Sequence, residues 1–470
     1  MSSVFSATIM RIKSYGTAVY RNRPINALQK FHEVMMKKII LITSILLTTV
    51  IIAQSEGLRT LIYPPFKHCW GIYKGTESRL KMLLGRSASF DNPQGLAVTR
   101  LKRTDNPKDP RDDDELSAYG VNSGLDQIIY NVSMYKLATY GTSGSGKDNL
   151  NAPRGISADP DGHVFVCDTG NRRIVRLEHT RKGLQWVSAF GEEILIEPHD
   201  VSVTESGTLF VTDHERGTID IFTYEGLHIR TLTGLVKPRG IGIDNPALTR
   251  TRYGDRVIFV VDSDGTQLRK LDYNGRVIAT ANAYDLVDGN GTFSYLALDF
   301  YNNAWVTDSV NCLIHKFDNN LEYVVSVGEC GDGDYQFEHP TGIAIWRRFG
   351  QVVVAERRSA QYYWIGSDVA GFEIYMGEDR DGNRSAVIDI DLTDHGYVSI
   401  TIKRDGNTVR EFLSHSRFRQ GSRTVRWDLK DDDGNPVPPG EYEFELYLEP
   451  TYSSYGHFYK TVVKKAVIDA

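Results

Sequence analysis

The sequence predicts an all-β chain, a six-bladed β-propeller followed by a small β-sandwich. Three observations predict it. An acidic residue closes a short apolar strand at Asp168, Asp213, Asp262, Asp308 and Glu356, at successive intervals of 45, 49, 46 and 48 residues, the period of a four-stranded propeller blade. Six short strands carry a small residue between two larger ones. Beyond residue 367 the repeat stops, and strict apolar–polar alternation begins.

The repeat reads Pro-x-Gly, apolar strand, polar turn, strand ending in an acid, third strand. Its clearest copy is NAPRGISADPDGHVFVCDTGNRRIVRL, 151–177, and the next is EPHDVSVTESGTLFVTDHERGTIDIF, 197–222. Further copies begin at KPRGIGID, at FSYLALDF and at HPTGIAI, and a degenerate first copy opens with NPQGLAV, 92–98. The middle residues of the six inner strands are Ala97, Ser157, Ser202, Gly242, Ala297 and Ala344. Blades converge on the channel axis, so small residues belong there and larger ones further out. Asp159-Pro160-Asp161-Gly162, Ser206-Gly207, Asn274-Gly275 and Asn302-Asn303 supply the turns. No stretch sustains a helical period, which argues against a helical solenoid.

This pattern resembles the NHL repeat over roughly residues 80–366. Two blades depart from it. The first carries a charged insertion within 99–127, and the fourth an extra loop near 245–256. Closed propellers hide their sheet edges. Leu80, Met82 and Leu84 alternate like an outer strand and are expected to pair with the sixth blade, as is FKHCWGIYK, 66–74.

The N-terminus is read separately. MKKIILITSILLTTVIIA, 36–53, has two lysines before a short apolar run, the layout of a secretory signal peptide. Residues 1–35 are then a mis-assigned extension, and the propeller occupies 58–366. Without residues 1–53 the chain keeps 47 basic and 59 acidic residues, a net charge of −12. Such a chain has no counterion-release drive toward nucleic acid, and no membrane span remains after cleavage. Export places Cys69, Cys167, Cys312 and Cys330 where disulfides form. The sequence leaves three pairings open, or free thiols.

Residues 367–470 form the second domain. GYVSITIKRDGNTVREFL, 396–413, is a hairpin. Tyr442, Phe444, Leu446 and Leu448 alternate with Glu441, Glu443, Glu445 and Tyr447 as a half-buried strand. Trp427-Asp428 and the run PPGEYEF resemble the immunoglobulin-like domain of the flagellar hook-capping protein. That resemblance implies a bacterial origin and a spacer or attachment role. Asp379, Asp381 and Asn383 around Gly382 invite a calcium reading, but the glycine and glutamate of an EF-hand loop are misplaced.

Candidate binding residues follow each proline, where a propeller's channel mouth is expected. They are Gln94, Arg154, His199, Asp200, Arg239, Ser294, Tyr295 and Thr341. Two arginines and a histidine there suit an anionic ligand. EPHDVSV with TLFVTD also resembles blades of the peptidyl-hydroxyglycine amidating lyase, which implies a channel zinc held by three histidines. Only His199 matches. Arg154, Arg239 and Thr341 hold the equivalent positions, His339 precedes its proline, and His214 falls near the place of the family's arginine. A catalytic zinc needs three protein ligands. No nucleophile, Walker or zincin motif occurs. The sequence thus predicts an exported bacterial binding module for a protein, peptide or glycan, with no cofactor and no catalytic residue. The alternative is a channel enzyme, a lyase or hydrolase using one divalent cation, zinc or calcium, at His199.

Overall fold

The computed structural model describes residues 58–69, 71, 73–104, 116–133, 136–204, 206–244, 256–286, 290–378 and 382–469. The expected signal at 36–53, most of the charged insertion in the first repeat, and Asp379 and Asp381 lie outside the described residues. Among those described, six antiparallel sheets follow one another from residue 93 to residue 365. Their inner strands are Pro93–Arg100, Ile156–Ala158, Pro198–Val203, Ile241–Ile243, Phe293–Leu298 and Ile343–Trp346. The sheets surround a central channel, a β-propeller. The small residues of the inner strands let neighbouring sheets approach. A Cβ added at Gly242 would meet Leu298 Cγ at 3.1 Å, in the next sheet.

The recurring acids have a structural task. Asp168, Asp213, Asp262, Asp308 and Glu356 are fully buried at the ends of second strands. Each carboxylate accepts a backbone N–H from the loop leading into its own inner strand. The donors are Asn151 (2.7 Å), Ile196 (2.7 Å), Val236 (2.7 Å), Thr292 (3.2 Å) and Glu338 (2.7 Å). Such a bond satisfies a donor that a strand ladder cannot reach. In the first sheet Asn122 does the same, accepting from Asp91 N at 2.7 Å. An amide in place of a carboxylate is why the sequence period begins one repeat late.

Ring closure differs in detail from expectation. The outer positions of the sixth sheet are filled by Leu61–Ile62 and Lys74–Thr76, both antiparallel to Ser359–Ile365. Leu80, Met82 and Leu84 are not a strand: Glu77–Leu84 is a helix. Thr76 caps it by accepting from Arg79 N, and Glu77 bonds Lys81 one turn on. Leu80 is buried while Met82 is 76 % exposed, so the apparent alternation carries no buried face. Among the described residues of 66–74, Phe66–Cys69 is a helical turn and Lys74 begins the strand that joins the sheet. Cys312 and Cys330 form a disulfide, while Cys69 and Cys167 are buried and belong to no disulfide among the described residues.

After Ile365 the chain builds two further sheets. One contains Val369–Glu378, Arg384–Leu392 and Gly421–Trp427; the other contains Gly396–Arg404, Asn407–Phe418, Gly440–Pro450 and Lys460–Ile468. Tyr442, Phe444, Leu446 and Leu448 point inward as the alternation predicts, into a core with Ile388, Ile400 and Trp427. From Gly57 onward the chain is one compact unit, and this second part is packed on the propeller rather than hung from it. Lys316, in the fifth propeller sheet, donates to Thr393 O and Asp394 Oδ2, both at 2.6 Å, with both side chains fully buried. Tyr301 stacks on His395 at 3.6 Å between ring centroids. Ser454 donates to Ile365 O at 2.6 Å, and Tyr452 joins the core of the last propeller sheets.

Candidate functional site

The segments that open the inner strands form one ring at one end of the channel, the proline end. Each glycine there lies against the backbone of the next sheet. A Cβ on Gly95 would meet Arg154 O at 2.8 Å, and one on Gly240 would meet Tyr295 Cα at 2.7 Å. Gly342 lies in the same way against Gln94 and Gly95, which closes the ring from last sheet to first. Gly95 N donates to Arg154 O at 3.0 Å and Gly240 N to Ser294 O at 3.1 Å. Two repeats lack the glycine. Asp200 and Tyr295 stand in its place, and their side chains are what the ring encloses.

Asp200 Oδ2 accepts from Ile241 N at 3.0 Å, in the next sheet, and Oδ1 accepts from Val201 N at 2.9 Å. Tyr295 reaches across the channel and donates its hydroxyl to Gln94 Oε1 at 3.0 Å. His199 is buried between His214 and Tyr295, with ring centroids 5.7 and 5.5 Å away. Arg154 pairs with Glu197 at 3.1 Å. Arg239 pairs with Asp264 at 2.8 Å. Thr341 takes part through its carbonyl, which accepts from Thr307 Oγ1 at 2.6 Å. The structure therefore gathers all the sequence-derived candidates at the proline end. Tyr295 engages Gln94 and His199, Asp200 holds backbone N–H groups, and the arginines are tied to Glu197 and Asp264.

Burial sets the protonation states. It pushes the Asp200 carboxyl up to about 7, against the two backbone donors that favour its charged form. It holds His199 well below the usual imidazole value, helped by Arg154, His214 and Arg239. Burial likewise raises Tyr295, with Asp200 adding to the effect. His199 is thus neutral at pH 7, and its Nδ1 has no hydrogen-bond partner among the described residues.

The open space lies at the other end, where first and second strands of each sheet meet in hairpins. A cavity of about 360 Å³ runs from Asp200 and Tyr295 toward that hairpin end. Its walls include aliphatic side chains, Leu96, Val203 and Leu298, and small ones, Ser157 and Ala344. Arg100, Lys102, Arg347 and Arg348 line it too. Sequence reasoning missed these four because it looked only beside the prolines. Two signals pointed to them. Both insertions, 101–115 and 244–256, connect first to second strands, and Trp346-Arg347-Arg348 replaces the Asp- or Ser-based turn of other repeats.

Chemically, this arrangement can enclose a small molecule or the end of a larger one. Among the described residues, no three His, Cys, Asp or Glu side chains converge as a metal site would require. None of their helices is long and apolar enough to cross a membrane.

Residues 150–177 match the family described as the NHL repeat. No curated relative matches the chain. Among solved structures it is similar to virginiamycin B lyase from Staphylococcus aureus, at 15 % identity over 53 % of this chain and 77 % of that one, with a TM-score of 0.39. It is also similar to a gluconolactonase from Xanthomonas campestris, at 10 % identity over 66 % and 98 %, TM-score 0.43. PorZ of Porphyromonas gingivalis, an essential surface component of the type-IX secretion system, aligns at 12 % identity over 84 % of this chain and 54 % of its own, TM-score 0.44. At such identities the likeness is one of fold and does not choose between enzyme and binding protein.

Proposed function

We propose that this chain is an exported bacterial binding module: a six-bladed NHL-type propeller, 58–366, carrying an immunoglobulin-like domain of the hook-capping type, 367–470. Its ligand is a small molecule, or the end of a protein, peptide or glycan partner, held in the channel from the hairpin end. One observation carries this reading. The cavity is lined at the proline end by Asp200 and by Tyr295, whose hydroxyl bonds Gln94, and it reaches Lys102, Arg347 and Arg348 at the hairpin end. Concave pockets of this size, combining apolar walls with a few placed polar groups, are the usual form of ligand sites; here Arg100, Lys102, Arg347, Arg348 and Asp200 supply the polar groups. The Cys312–Cys330 disulfide supports an oxidising location. The immunoglobulin-like assignment is supported by the two facing antiparallel sheets around Trp427.

A cation-dependent channel enzyme would need further ligands beside His199. Its nearest aromatic neighbours are His214 and Tyr295, and His214 Nδ1 already donates to Pro238 O at 3.3 Å. Metal analysis of the purified chain beside its His199→Ala variant separates the two readings. The binding reading expects the same metal content in both. One ion per chain, lost in the variant, would overturn it.

A further inference from the structure

We propose that the hairpin end of the channel receives an oxyanion, the carboxylate or phosphate head of a small organic acid, and that Arg347 grips it. The proposal rests on the reading of the channel as a binding pocket and names what that pocket selects.

Four basic side chains line the cavity, and the acid among the lining residues, Asp200, lies at its proline end. The whole chain carries a net charge of −6, so this concentration of positive charge runs against its average. The four are not equivalent. Lys102 reaches outward to Asp161 at 2.7 Å, both well exposed. Arg348 is exposed and lies over Phe349, 5.0 Å from the ring centroid. Arg347 turns inward. Its Nη2 donates to Ile243 O at 2.8 Å, while its Nη1 is shielded from water and, among the described residues, donates to nothing.

A guanidinium offers five N–H donors in a fixed planar fork, and that fork matches a carboxylate or phosphate. Leaving one of its buried donors unmade is costly, and a charge-assisted bond is the strongest way to satisfy it. Burial lowers the tendency of Arg347 to hold its charge, but Asp244 and Asp299 nearby oppose this. Arginine stays protonated in proteins. The charge is therefore present, held in place by one backbone acceptor, with a second nitrogen uncommitted on a side chain that lines the cavity. The aliphatic walls at Leu96, Ile156, Val201 and Leu298 suit the carbon body of such an acid rather than a bare, strongly hydrated ion.

Isothermal titration of the full chain with butyrate, inorganic phosphate and neutral butanol, at constant ionic strength, tests this. Butyrate or phosphate is expected to bind at one site per chain. Arg347→Gln should weaken that binding at least tenfold, and Arg347→Lys should do so less, keeping charge without the fork. Arg276→Gln, at a solvent-exposed arginine, should change nothing, and thermal melts of each variant report folding. Preference for butyrate identifies a carboxylate ligand, and preference for phosphate a phosphate ester. Butanol binding as tightly as butyrate, unaffected by Arg347→Gln, would overturn the oxyanion inference and leave the pocket reading standing. Saturable binding of none of the three would overturn both.

Discussion

Replacing Asp394 with alanine should destabilise the protein more than any surface change, because of where Lys316 is. Its ammonium is fully buried and has two close acceptors, Thr393 O and Asp394 Oδ2, each at 2.6 Å. Trp305 lies beside it, with the ring centroid 5.0 Å away. Removing Asp394 leaves a buried cation with one neutral acceptor. Breaking a buried pair in this way costs about 3–5 kcal/mol. Removing both charges together, as Lys316→Met with Asp394→Ala, should recover most of that loss, because no uncompensated charge then remains. The same pair predicts acid sensitivity. Burial alone would raise the Asp394 carboxyl, but Lys316 and His395 outweigh it and hold it below the usual aspartate value. Its contribution is thus present above the unfolded value of about 3.9 and is lost as pH falls through the lower folded value. Urea titration followed by tryptophan fluorescence reads the parent and both variants, since Trp305, Trp364 and Trp427 are fully buried. An Asp394→Ala variant within about 1 kcal/mol of the parent would refute the argument.

Other outcomes follow from the same geometry. Reducing Cys312–Cys330, which spans 18 residues, should cost about 3 kcal/mol in the chain-entropy account, read as a lower urea midpoint with reductant that a Cys312→Ser/Cys330→Ser variant reproduces and reductant no longer alters. Asp200 has a folded value near 7, above its unfolded value of about 3.9. Its contribution is therefore complete below about pH 4 and is lost as pH rises through 7; Asp200→Asn should flatten the melting temperature across that window, and an unchanged slope would exclude the assignment. Tyr295→Phe removes the hydroxyl donated to Gln94 and should cost about 1 kcal/mol in chemical denaturation; a gain in stability would show that the bond does not close the channel. Gly155→Ala sets a methyl against Asp200 and 2.7 Å from His199 O, so it should lower the melting midpoint by an amount equivalent to about 1–3 kcal/mol.

Much of the propeller was legible because its physics is periodic. The acids every 45–49 residues exist to hold a loop N–H, and that need recurs in every sheet. Where Asn122 serves instead, the period fell silent although the bond is the same. Leu80 to Leu84 misled because alternation over only five residues does not fix a strand: in a helix Leu80 and Leu84 lie on one side and Met82 on the other, where it is exposed. The cap at Thr76 and the Glu77–Lys81 pair were the better signals. The docking of the second part rests on Lys316 and Asp394, which are far apart in sequence and bear no local mark of their partnership. At the site, proline spacing located the ring containing His199, Asp200 and Tyr295. It could not show that Asp200 and Tyr295, in place of glycines, would fill that ring and leave the opening to the opposite end. Arg347 was hidden for a related reason: its role comes from Ile243, in another sheet.

The measurement that tests the central claim most directly is a crystal structure of the full chain soaked with butyrate. The account predicts the carboxylate beside Arg347 Nη1, inside the channel, with the Tyr295–Gln94 bond intact. Ligand density at the proline end among Arg154, His199 and Arg239, with the channel open there, would contradict it.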